Sequence, residues 1–343
     1  MSLQEPSNAS RHPSALQAST RSDAEEVHVE PNLSGLDFEA SIAQGLSLRP
    51  RRIASKWLYD AVGADLFEAI VASPGYYIPR AERAILRDRG PEIARAFGAG
   101  GSLVELGSGA STKVRLLLDA MPDLARYVPV EISEAQVMEA AGTLREAYPD
   151  LEVVPIAADF TRPFDMPAAV HAGPVMGFFP GSTLCNLLPG NSESFLRRMH
   201  DILGPDSLFL VGVDLRKDEK VLLAAYNDPG GAIWDFNLNI IDRINRELGT
   251  GLDRAAFWHE ATYNAVEGRI EAALYPLRDV AVTVSGQTFK LTAGEPIILE
   301  YSHKYTLGSF AALAERAGWS TVNAWTDDEQ LFSVHLLSNG SRT

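Results

Sequence analysis

The segment Glu105-Leu106-Gly107-Ser108-Gly109 follows a short apolar run and precedes a helical pattern, which puts two glycines in a strand-to-helix turn. Glycines there allow a tight turn and let a ligand lie close against the backbone. The turn is not a P-loop, since no Gly-Lys-Ser/Thr ends it. Nor is it a full G-x-G-x-x-G, since Thr112 holds the last place. Glu131, near the end of the next strand, is placed to accept hydrogen bonds from two ribose hydroxyls. Asp159 follows the third strand, placed to receive an adenine amino group, with Phe160 able to cover the base. Each acid has a plainer reading, Glu131 as charge at a helix start before Ser133 and Asp159 as a turn former. The ordered set at successive strand ends favours a ligand: a small methyl donor with a ribose and a charged amino-acid tail fits this context.

Other chemistry is poorly represented. The histidines at positions 12, 28, 171, 200, 259, 303 and 335 show no His-x-x-x-His or His-Glu-x-x-His spacing, so no metal site is expected. The single cysteine, Cys185, excludes a disulfide framework and reads as a packed small residue. Thirty Lys+Arg against 45 Asp+Glu leave a net charge of -15 on 343 residues, which disfavours nucleic acid and anionic membrane as partners. With neither an apolar run long enough to span a bilayer nor a leader-like apolar stretch, the expectation is a cytoplasmic protein.

The elements that must position these residues alternate. Strands are predicted at 102–106, 127–132, 151–157, 174–179 and 207–213, with helices at 112–121, 134–148 and 191–203 between them. This rhythm predicts an α/β fold with a doubly wound, mostly parallel sheet. Before it lie helical patterns over 55–70 and 81–97. After it come a mostly helical stretch over 217–248, extended chain over 264–284 and 288–303, a helix over 307–317 and strands at 320–325 and 331–337. The expected organisation is a flexible segment at 1–28, N-terminal helices at 29–97, a sheet domain from 98–215 and 306–340, and an inserted lobe at 216–305.

The chain resembles S-adenosylmethionine (SAM)-dependent methyltransferases, and most closely the histidine-specific N-alpha-methyltransferases of ergothioneine biosynthesis. The segments that carry the resemblance are Lys56 to Gly63, Tyr76 to Arg80, Glu105 to Gly109, Gly181 to Asn186, Ala225 to Asp228, Phe236 to Asn239 and Glu300 to Ser302. The resemblance implies a Rossmann-like class I fold with a seven-stranded sheet and a second α+β substrate lobe. It implies SAM as methyl donor, S-adenosylhomocysteine as product and no metal. Its donor set would be Tyr59, Glu105, Gly107, Ser108, Gly109, Lys113, Glu131, Asp159 and Phe160. Tyr76, Asn186 and Tyr226 would hold the amino-acid end of the substrate and carry catalysis, while Glu300 and Ser302 would read an imidazole. The implied reaction is trimethylation of the α-amino group of L-histidine, through its mono- and dimethyl forms, to hercynine. A monomer is expected separately, because the sequence shows no long exposed apolar helix.

Two departures bear on the substrate. Cys185 stands where the family usually has glycine, and Ala272 where it carries methionine beside the imidazole. Another amino acid or imidazole-containing substrate on the same fold is therefore an alternative, and a catalytically silent binding protein is a second.

Overall fold

The computed structural model describes residues 36–109, 113–228 and 231–340. The expected segment 1–28 lies outside the described residues. Helix α1 (Phe38–Ser47) starts where Asp37 accepts the Ala40 N–H at 2.8 Å. Strand β1 (Arg51–Arg52) and a 3-10 turn (Ser55–Leu58) lead to α2 (Ala61–Ala72) and α3 (Ile78–Phe97). The pattern over 55–70 thus divides into a turn and a helix, because Asp60 turns its side chain to the Gly63 N–H and starts α2 afresh. Helix α3 begins three residues before the predicted start, with Pro79 in its first turn, where no intrahelical donor is needed.

The large sheet begins with β2 (Ser102–Leu106), buried along its whole length as a central parallel strand must be. It continues through α4 (Arg115–Ala120), β3 (Arg126–Glu131), α5 (Glu134–Ala147), β4 (Glu152–Val153) and β5 (Ile156–Ala157). Then follow β6 (Val175–Phe179), α6 (Pro189–Leu203) and β7 (Leu208–Asp214). Two expectations are corrected here. Of the predicted 112–121 helix, Thr112 lies outside the described residues and the helix spans 115–120, and the 151–157 strand breaks into two short pieces that both pair with β3.

Next come α7 (Glu219–Tyr226), α8 (Ala232–Leu248), β8 (Phe257–Asn264), β9 (Arg269–Pro276), a hairpin of β10 (Val280–Val284) and β11 (Gln287–Leu291), and β12 (Ile297–His303). Extended chain begins at Phe257, earlier than predicted. The chain closes with α9 (Leu307–Arg316), β13 (Ser320–Thr326) and β14 (Phe332–Ser338).

The large sheet has the order β13-β14-β7-β6-β2-β3-β4, with β5 sharing the β4 edge, so eight strands fill the seven expected positions. Strands β2 to β7 are parallel, and β14 is antiparallel to β7. One apolar layer joins β2, β6 and β7 to α3 and α4 through Leu103, Phe178, Leu210 and Leu117. The other face packs Val104, Val211, Phe195 and Trp319 beneath α6 and α9. A second sheet, β1-β12-β9-β8, is backed by α8, whose Ile240, Ile241 and Phe236 share a core with Leu274 and Phe289.

Candidate active site

The parallel strands β2, β3, β5, β6 and β7 all end on one edge of the large sheet, the place where open α/β sheets bind ligands. Past β2, Gly107 and Gly109 have φ of 68° and 47°, which side chains seldom adopt. The Gly109 N–H donates to Glu131 Oε2 at 3.2 Å and the Ile132 N–H to Oε1 at 2.8 Å, so the Glu131 carboxylate lines the turn. A Cβ on Gly107 would lie 3.3 Å from Phe160, whose ring therefore lies across the same turn. Asp159 is half-buried beside it and accepts the Thr161 N–H at 2.9 Å. The Ser108 hydroxyl is buried with no hydrogen-bond partner among the described residues.

Lys113 reaches Glu82 of α3 at 2.6 Å, and the other Glu82 oxygen takes the Gly181 N–H at 2.6 Å. Glu82 has a fully buried side chain and bridges the turns after β2 and β6. From the small-sheet side, Tyr59 sits edge-on to Phe67 and Phe236 with 44% of its surface exposed. Its neighbour Lys56 faces Asp159. Burial pushes the Lys56 ammonium down in pKa, and Asp159 opposes that shift.

Glu105, the last acid before the turn, has a side chain 2% exposed that accepts the Tyr127 hydroxyl. Burial raises its pKa to about 8 against the opposing Tyr127 hydrogen bond.

Tyr76 packs edge-on to Tyr226 at 6.1 Å. Burial, then nearby charge that includes Glu300, holds both hydroxyls well above their ordinary pKa, so they stay protonated. Tyr226 Oη lies 2.9 Å from Ser302 Oγ. Glu300 and Ser302 alternate along β12 and so share a face. Burial raises the Glu300 carboxyl to about 7, with Lys304 pulling it down, and among the described residues nothing donates a hydrogen bond to it. The turn carrying Asn186 packs on β12, where His303 Nδ1 lies 3.2 Å from the Cys185 carbonyl. The Cys185 thiol is buried and its pKa raised by that burial, which suits packing. The structure thus brings Tyr59, Tyr76, Tyr226, Glu300 and Ser302 into one cluster, and the glycine turn, Glu131, Asp159 and Phe160 into another.

Sequence reasoning missed a third cluster beneath the first. Asp214, at the end of β7, accepts from Lys217 at 2.5 Å, from Lys304 at 2.7 Å and from the Tyr77 hydroxyl at 2.9 Å. Burial would raise the Asp214 pKa, but the two ammoniums outweigh it and the net shift is down. Lys304 also donates to Ser302 Oγ at 2.7 Å and Tyr226 Oη at 3.0 Å. Its signal was present as Glu300-x-Ser302-x-Lys304, polar residues at every second position along the end of β12 and just past it. Among the described residues no group of three or more His, Cys, Asp or Glu could hold a metal, and no helix is long and apolar enough to cross a membrane.

The sequence model of the family described as "Histidine-specific methyltransferase, SAM-dependent" matches residues 38–339. The chain is 37% identical over 300 residues to the histidine N-alpha-methyltransferase of Mycolicibacterium smegmatis, covering 86% of this chain and 92% of that one. It is 36% identical over 316 residues to the histidine N-alpha-methyltransferase of Mycobacterium tuberculosis, covering 91% and 98%. Ergothioneine biosynthesis protein 1 of Neurospora crassa is 28% identical over 297 residues, 84% of this chain and 33% of that protein. The chain belongs to the family of histidine-specific, SAM-dependent methyltransferases, and its large sheet is the class I Rossmann-like sheet of such enzymes.

Proposed function

We propose that this member of the histidine-specific methyltransferase family moves methyl groups from SAM to the α-amino nitrogen of L-histidine. Three successive turns, through the mono- and dimethyl forms, give hercynine for ergothioneine biosynthesis. The observation that carries the reading is Glu300, a half-buried carboxylate beside Ser302, with nothing donating to it among the described residues. An acceptor that a bound ligand seals from water is costly unless that ligand supplies a donor. An imidazole brings an N–H to Glu300 and a second ring nitrogen to Ser302.

The donor side fits SAM. Gly107 and Gly109 open the backbone, Ser108 has an unsatisfied hydroxyl, and Glu131 lines the turn. In our assignment Glu131 takes the ribose, Asp159 and Phe160 the adenine, Lys113 the amino-acid tail, and Tyr59 covers the donor from the other side. When bound, the donor supplies an electrophilic methyl on a sulfonium. Tyr76 and the amide N–H of Asn186 hold the substrate carboxylate. The Asn186 carbonyl and Tyr226 Oη face the amine, which must be neutral to attack in line. Such positioning contributes several kcal/mol, of order 7 or more in well-oriented cases. We assign 98–215 and 306–340 to the donor, and 29–97 with 216–305 to the substrate. The acting unit in this reading is a monomer. Use of SAM as donor supports a cytoplasmic site of action.

The test is incubation with SAM and each standard amino acid, read by mass for one, two and three methyl additions. No addition to histidine overturns the reading. A second reading, a larger ring as substrate, is favoured by Ala272, which pairs with Glu300 across β9 and β12 and offers only a methyl group there. Transfer to tryptophan at a rate comparable to histidine would establish it.

A further inference from the structure

The Lys304 ammonium has three hydrogens and three acceptors: Asp214 Oδ2 at 2.7 Å, Ser302 Oγ at 2.7 Å and Tyr226 Oη at 3.0 Å. Its side chain is fully buried, so no water competes. Both hydroxyl oxygens therefore already accept a hydrogen. The two hydroxyls also lie 2.9 Å apart, so one of their two hydrogens fills the bond between them. A single hydroxyl hydrogen is left to point outward. If Tyr226 directed it at the substrate, it would tie up the amine lone pair that must attack the methyl group. The productive order is Tyr226 to Ser302, and Ser302 to the ligand.

We propose that Lys304 is a positioning residue that determines specificity: through Tyr226 and Ser302 it leaves one donor hydrogen beside the Glu300 acceptor, a pair that matches a neutral imidazole. A ring with two N–H donors meets a hydroxyl whose oxygen is already taken and an ammonium behind it. A ring with neither donor nor acceptor leaves both protein groups unsatisfied. The charged and titratable groups that face Lys304 are Asp214 from β7 and Lys217 just past it, Tyr226 from α7, Glu300 from its own strand, and Cys185 from the turn after β6. His303, on the opposite face of β12, also feels its charge. This inference rests on the histidine reading above.

The experiment compares histidine with 2-thienylalanine, whose ring has a similar shape and no hydrogen-bonding nitrogen. Wild type should prefer histidine by about a thousandfold or more in kcat/KM, as sites built around a hydrogen bond do. In Lys304→Met the apolar stem remains and Asp214 keeps Lys217. The preference should fall at least about tenfold, mainly through the KM for histidine, with the KM for SAM within about twofold. Equal losses on both substrates would mean a merely structural role and overturn the proposal. If Lys304→Met does not fold, wild type decides the matter through pH. Lowering pH from about 7.5 to about 5.5 should erode the histidine preference as the free imidazole becomes protonated. A preference that rises at the lower pH means imidazolium is the bound form, which also overturns the proposal. Wild type that never methylates histidine instead removes the underlying functional reading.

Discussion

Asp214→Asn tests the buried charge cluster most directly. The substitution keeps shape and one acceptor but removes the only carboxylate bonded to Lys304 and Lys217 among the described residues. Contacts of 2.5 and 2.7 Å correspond to a raw attraction of about 6 kcal/mol each at an effective dielectric of about 20. Desolvation of the carboxylate offsets much of that, so the net cost is set by what remains. Lys217 keeps the Leu215 carbonyl at 2.6 Å, and a slightly open side chain gives it a route to water. Lys304 has no such route and stays as a buried cation with no carboxylate bonded to it among the described residues. Breaking one partner of a buried pair costs about 3–5 kcal/mol, a large part of a typical total stability of about 5–15 kcal/mol. Urea unfolding followed by tryptophan fluorescence would read it. The double variant Asp214→Asn with Lys304→Met removes the stranded charge and should recover at least about half of the loss. A single-variant cost under about 1 kcal/mol, or a double variant no better than the single, would refute the reasoning.

Glu300→Ala should lower kcat/KM for histidine by about a hundredfold or more while SAM binding by calorimetry changes less than about twofold; equal damage to both removes its substrate role. Because burial raises Glu300 to about 7, its carboxylate is lost as pH falls through that value, and kcat/KM for histidine should fall with it. A flat profile down to about pH 6 contradicts this. In Gly63→Ala a Cβ would stand 1.8 Å from the Leu58 carbonyl oxygen, so the turn bearing Tyr59 must shift. We expect a loss of about 1–3 kcal/mol and weaker SAM binding, and unchanged melting would show that the turn yields freely. For Glu105 the folded pKa of about 8 lies above the ordinary 4.5, so the folded state keeps a proton the unfolded state loses. Its contribution therefore worsens as pH rises through that window. Glu105→Gln should flatten the decline by about 1–3 kcal/mol between the ends, and an unchanged pH–stability curve would exclude it.

The turns assigned to the donor were legible because their parts are local. Gly107, Glu131 and Asp159 each follow a strand directly, and strand order alone brings their turns to one edge. The substrate half was legible only through resemblance, since Tyr76, Asn186, Tyr226 and Glu300 come from elements far apart in the chain. The Asp214–Lys304 pair spans 90 positions; Asp214 looks like an ordinary strand end, and only Lys304 carried a signal, in its alternation with Glu300 and Ser302. Glu82 was hidden for a related reason. It occupies the apolar stripe of α3 with Ile78, Ile85 and Leu86, where a pattern search reads a stray surface charge. Break points in the chain were the least legible. The split of β4 from β5 falls at Val154-Pro155, where proline has no N–H to give the ladder, a break signal that the apolar run over 151–157 masks.

Glu82 fixes a distance. One of its oxygens holds Gly181, a few residues ahead of Asn186, and the other holds Lys113 at the opening of α4. The two turns that would grip substrate and donor are therefore clamped to the same rigid helix, with a caliper's set gap between them. For the proposed substrate, a nitrogen that gained a methyl group at each turnover would grow inside that gap, so a clamp of this kind leaves rotation of the amino acid about its own Cα–N bond as the simplest way to bring the lone pair into line.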